Sequence, residues 1–113
     1  MRYIFSWYII FAYTFFIFYF SLTPKVFVFL PHIPNIDKIV HFFIYLVLSF
    51  LVLNTLKLRK NSFPYIFAFT YGFLVGIVIE IFQYFLPYRS FEIKDLIVNI
   101  FGTIFGLKLK IYD

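Results

Sequence analysis

Four long apolar runs make up most of this chain, and the polar and proline positions between them set their limits. The first, Tyr3 to Leu22, follows Arg2 without a break and ends among Ser21, Thr23 and Pro24. It exceeds the apolar core of a secretory signal and no small-x-small cleavage site follows, so a helix is expected instead. Pro31 and Pro34 disfavour helix through the next segment. A second run opens at Ile36, with Asp37 where a carboxylate complements the helix dipole, and ends before Lys57, Arg59 and Lys60. Pro64 suits the first turn of a third helix, which Pro87 closes. The fourth begins near Ile93 and ends among Lys108 and Lys110. The predicted elements are helices over residues 3–22, 36–56, 64–86 and 93–110 within one domain, 1–113.

Composition turns these helices into membrane spans. The chain is 64% hydrophobic and 13% charged, with a mean hydropathy of +0.95; a soluble domain carries about 25% charge. At roughly 20 apolar residues per span, 113 residues hold four transmembrane helices and no separate soluble domain. An all-α membrane protein, an antiparallel four-helix bundle, is the expected fold. Cysteine is absent, which excludes disulfides and thiolate chemistry. The 20 Phe and 10 Tyr accompany many Ile, Lys and Asn, a genome-wide bias more than a cofactor box.

The net charge of +5 resides in short inter-helix segments, so topology accounts for it better than nucleic acid does. With the N-terminus inside, one side carries Arg2, Lys57, Arg59, Lys60, Lys108 and Lys110, and the other carries Lys25, Lys38, Arg89 and Lys94. By the positive-inside rule this bias favours both termini in the cytoplasm.

Polar residues within the runs converge on that topology. At 1.5 Å per residue, His41 lies about 6 Å below Asp37, Asn99 about 6 Å below Asp95, and Gln83 and Glu80 about 6 and 10 Å below Pro87. All fall in the outer leaflet. Residues three and four apart share a helical face, so Asp37, His41 and Tyr45 form one stripe, Glu80, Gln83 and Tyr84 a second, and Asp95 and Asn99 a third. Gly72 and Gly76 form one G-x-x-x-G, and Gly102 and Gly106 another, at the spacing that lets helices approach closely in lipid. They predict tight packing of helices three and four below an outward-opening cavity.

The ordered pattern Asp37-Lys38-x-x-His41-x-x-x-Tyr45, then Glu80-x-x-Gln83-x-x-x-Pro87-x-Arg89-x5-Asp95-x-x-x-Asn99-x-x-Gly102, resembles the VanZ-like family over essentially the whole chain. Ser21-Leu22-Thr23-Pro24 is similar to the end of that family's first helix. The resemblance implies a small multi-pass protein of the bacterial cytoplasmic (inner) membrane with an envelope role, linked by the family's name to resistance against the glycopeptide teicoplanin. It supplies no mechanism.

Each polar group has a functional and a structural reading. Glu80, two turns inside a span, is a general base, proton carrier or cation ligand, or else a packing partner of Arg89 or His41. His41 exchanges protons near neutrality or is held by Asp37 or Asn99. Glu80, His41 and Asp95 are the catalytic candidates. Arg89 can fork onto a phosphate or carboxylate; Asn99, Gln83, Asp37 and Tyr45 complete the substrate-binding set. Lys38 and Lys94 snorkel to head groups. A single intramembrane His with no tight ligand spacing argues against a metal, and Ser90 lacks a nucleophile-elbow setting. No cofactor is expected. The expected partners are the lipid bilayer and an anionic lipid or lipid-linked envelope precursor, with a second copy of the chain as a further candidate. A proton-coupled transporter and a non-catalytic module whose polar cluster only specifies packing are the alternatives.

Overall fold

The computed structural model describes residues 5–22, 36–86 and 93–111. Among them the chain forms four helices and no strand: α1 (Trp7–Leu22), α2 (Ile36–Leu58), α3 (Pro64–Tyr84) and α4 (Ile93–Gly106). Two segments, Lys38–Leu58 and Pro64–Tyr84, are long and apolar enough to cross a membrane. At 1.5 Å per residue, the described parts of α1 (16 residues) and α4 (14 residues) are about 24 and 21 Å long.

Direction alternates along the chain. Phe5 stacks edge-on against Phe50 and the Tyr13 hydroxyl donates to the Ile44 carbonyl at 2.8 Å, so α1 and α2 are antiparallel. Thr14 meets Tyr71 at 2.7 Å and Phe18 meets Phe82, so α1 and α3 run together. Lys38 meets Asp95, His41 meets Asn99, and Asn54 meets Leu109, so α2 and α4 run together. α2 touches each of the other helices and is the hub of the core, which gathers Tyr45, Leu48, Val52, Leu53 and Leu56 with Ile10, Ile17, Ala68 and Ile79.

The turn from α2 to α3 follows from local chemistry. Lys60 takes a left-handed conformation (φ 58°), Lys60 N–H donates to the Lys57 carbonyl at 3.0 Å, and Asn61 N–H donates to the Leu56 carbonyl at 2.9 Å. These are the two bonds of a Schellman cap, with lysine where glycine is usual. The Asn61 side chain then accepts from Phe63 N–H at 2.8 Å, and Pro64 opens α3.

The glycines pack differently from the expectation. A side chain on Gly102 would collide with the Phe42 carbonyl, and one on Gly106 with the Leu46 carbonyl and the Ser49 hydroxyl, so α4 presses its glycines onto α2. Gly72 and Gly76 of α3 instead receive side chains from α4: a Cβ at Gly72 would lie 2.9 Å from Thr103, and one at Gly76 3.4 Å from Asn99 Nδ2. The two glycine pairs therefore do not face each other. The backbone of α2 fills the notch of α4, and the polar side chains of α4 fill the notch of α3.

Candidate functional site

One end of the bundle gathers most of the candidate polar residues. The N-terminal halves of α2 and α4 and the C-terminal end of α3 meet there because those segments carry their polar stripes on inward faces. Glu80, Tyr45, Asn99 and Gln83 are at most 3% exposed, and His41 and Asp95 are buried too.

Lys38 Nζ donates to Asp95 Oδ1 at 3.1 Å across the α2–α4 seam. One turn deeper, His41 Nδ1 meets Asn99 Oδ1 at 3.3 Å. An amide oxygen only accepts, so Nδ1 carries the proton and a neutral His41 keeps Nε2 as an acceptor. The His41 ring stacks on Tyr45 with centroids 6.5 Å apart. The Asn99 carbonyl accepts from the Thr103 hydroxyl at 2.9 Å, and Gln83 Nε2 donates to the Ser21 carbonyl at 2.8 Å, tying α1 to the same end. Tyr45 lies within electrostatic reach of Glu80 and Asp95. Gly76 leaves the space between them, since a Cβ there would be 3.4 Å from Asn99 Nδ2 and 3.8 Å from Tyr45 Cε1.

The donors and acceptors do not balance. Tyr45 Oη, Gln83 Oε1 and Asn99 Nδ2 are buried without a hydrogen-bond partner among the described residues. Such atoms cost about 1–3 kcal/mol each unless a ligand or water satisfies them. They come from α2, α3 and α4, one from each.

His41, Tyr45, Glu80, Gln83, Asp95 and Asn99 are thus brought to one end. Arg89 lies outside the described residues, as does the Asp37 side chain, though Asp37 is in the first turn of α2. These side chains are buried where the sequence predicts an outward-opening cavity, and Tyr84, grouped with Glu80 and Gln83 by spacing, is exposed. Among the described residues no group of three His, Cys, Asp or Glu side chains is arranged to hold a metal ion. Lys38, read from sequence as snorkelling, instead faces inward to Asp95. Its spacing of three from His41 places both on one face, and that spacing could have found it. Ser21 contributes only a backbone carbonyl, which leaves no signal in residue type. Beside the site, Lys38, Ile39, Phe42, Phe43 and Val98 line an apolar groove of about 320 Å³ on the α2–α4 surface.

The sequence model of the family described as VanZ/LLP1 matches residues 3–111. The chain belongs to the VanZ/LLP1 family. Among curated proteins, an uncharacterized protein of Schizosaccharomyces pombe is 29% identical over 79 residues, covering 70% of this chain and 49% of the yeast protein. The chain therefore spans about half the length of that relative. No solved structure matches. Family membership, together with the two candidate spans, marks this VanZ/LLP1 chain as a membrane protein.

Proposed function

We propose that this VanZ/LLP1 protein crosses the bacterial cytoplasmic membrane four times with both termini inside, and that its polar end binds the anionic head group of a lipid-linked envelope component in the outer leaflet. The observation that carries this is three buried, unpartnered atoms at this end: Tyr45 Oη and Asn99 Nδ2 supply donors and Gln83 Oε1 an acceptor. A phosphate monoester, with acceptor oxygens and one P–OH, complements two donors and one acceptor. The groove along Ile39, Phe43 and Val98 begins at Lys38 and suits a hydrocarbon tail.

Arg89 grips the phosphate from the connection between α3 and α4, and Glu80 and His41 handle protons, His41 through Nε2. Likeness to a fission-yeast protein supports lipid phosphate over chemistry peculiar to bacterial walls, because phosphorylated lipids are common to both. In a bacterial membrane the same binding reaches lipid-linked wall precursors, and with them glycopeptide resistance.

The test is binding by purified protein in lipid nanodiscs of a polyprenyl monophosphate against the uncharged polyprenol. The phosphate should bind at least about tenfold more tightly, and Arg89→Ala should lose that preference, since a charge-assisted hydrogen bond contributes about 1.5–3 kcal/mol. Equal binding of the two lipids sinks the proposal; equal binding by the variant removes Arg89 from it. A packing role is the second reading, favoured by the Lys38–Asp95, His41–Asn99 and Gln83–Ser21 bonds, which are satisfied within the protein. Under it, Asn99→Leu would lower stability, and any envelope phenotype would fall only in proportion to protein abundance.

A further inference from the structure

The opposite end of the bundle carries a separate combination of features. Between α1, α2 and α3, a cleft of about 340 Å³ is lined by Trp7, Val52, Leu56, Phe67, Thr70, Tyr71 and Leu74. That volume falls in the range of small-molecule pockets, about 300–1,000 Å³, and its lining offers almost nothing polar. Basic residues crowd the same end. Lys57 closes α2 with Nζ 4.7 Å from the centre of the Tyr65 ring, and Arg59 and Lys60 are exposed on the turn that follows. Asn54 adds two more by an indirect route. Its amide donates to the Leu109 carbonyl at 3.0 Å and accepts from Ile111 N–H at 2.6 Å, which folds the segment after α4 against α2 and brings Lys108 and Lys110 to this end. Glu80 and Asp95, the acids whose side chains are described, both belong to the other end.

An apolar cleft takes hydrocarbon, and a rim whose described charged side chains are all cationic takes an anion. One class of molecule supplies both at membrane depth. We infer that this end is a binding site for an anionic phospholipid of the adjoining leaflet, one acyl chain in the cleft against Trp7 and the phosphate among Lys57, Arg59 and Lys60. The inference is independent of the head-group site proposed at the polar end. A zwitterionic lipid satisfies the cleft but not the rim. Basic residues near an anionic surface each favour it by roughly fivefold, so selectivity by charge is the expected signature.

Trp7 is the single tryptophan of the chain and lines the cleft, so its fluorescence reports occupancy directly. The full chain is reconstituted in phosphatidylcholine vesicles containing an equal fraction of either phosphatidylglycerol or phosphatidylcholine with brominated acyl chains. Brominated phosphatidylglycerol should quench Trp7 with an apparent affinity more than about fivefold above that of brominated phosphatidylcholine. In Arg59→Gln/Lys60→Asn, whose asparagine tolerates the left-handed conformation of position 60, the ratio should fall by at least about fivefold. Equal quenching by the two lipids in the wild type overturns the site, as does a ratio left unchanged in the double variant. Both exchanged side chains are exposed, and helix content by circular dichroism checks that the variant is folded.

Discussion

Replacing Gly102 with alanine tests how this bundle is assembled. A Cβ at Gly102 would overlap the Phe42 carbonyl oxygen and lie 3.1 and 3.2 Å from the Phe42 carbonyl carbon and Cα. All three are backbone atoms of α2, so no side-chain rotation relieves the overlap and the helices must part. Forced overpacking costs about 1–3 kcal/mol, and a rigid obstacle belongs at the upper end. Alanine recovers about 1 kcal/mol in helix propensity, leaving a net loss of about 2 kcal/mol. The separation would also stretch the His41–Asn99 bond, three residues away on α4 and already 3.3 Å long. Gly76→Ala should behave in the opposite way, because its Cβ would stand 3.4 Å from the movable end of Asn99. There the propensity gain and the slight crowding should cancel to within about 0.5 kcal/mol. Equilibrium unfolding in mixed micelles, followed by far-UV circular dichroism, measures both. If Gly102→Ala is as stable as the wild type while Gly76→Ala is destabilised, α4 packs its glycines against α3, and the α2–α4 seam described above is wrong.

Other substitutions probe single contacts. Lys60→Gly should raise stability by about 1 kcal/mol by relieving the left-handed lysine, read in the same unfolding experiment; no gain would mean that the cap does not form. Lys38→Met should cost about 2 kcal/mol, between an exposed ion pair at about 0–1 and a buried one with its partner removed at about 3–5, because the two side chains are 20% and 10% exposed. Lys38→Met/Asp95→Leu should recover most of that loss, and additive losses in the double-mutant cycle would show that the pair is uncoupled. Asn54→Leu should speed hydrogen exchange at the Ile111 amide, bonded to its side chain at 2.6 Å, while the amides within α3 stay protected.

Much of the architecture was legible because apolar runs and prolines are local signals. The third helix starts at Pro64 as predicted and ends at Tyr84, two residues before Leu86, where its final carbonyls are taken by the turn bonds of Phe85 and Leu86. The fourth stops at Gly106 instead of reaching Lys110, because Asn54 captures the following backbone. That capture depends on a side chain 55 positions earlier in the chain. Polar stripes were equally readable: spacing of three and four puts His41 with Tyr45, and Asp95 with Asn99, on one face each. What spacing does not contain is the identity of the neighbour a face meets, which is why the sequence pairs the α4 glycines with α3 and sends Lys38 to the head groups. The partners were decided by the close approach of two parallel helices, visible only once both backbones are placed.

The α2–α4 seam also bears on the order of assembly. Chains emerge N-terminus first, and α2 is made complete before α4 exists. Until then, Lys38 and His41 lack the Asp95 and Asn99 side chains that hold them, and the carbonyls of Phe42 and Leu46 lack the glycines they press against. The central helix of the bundle is thus the one that waits longest for its partner. A ribosome stalled before residue 93 would leave an intermediate whose hub is uncovered along its polar side, a natural target for membrane chaperones and proteases.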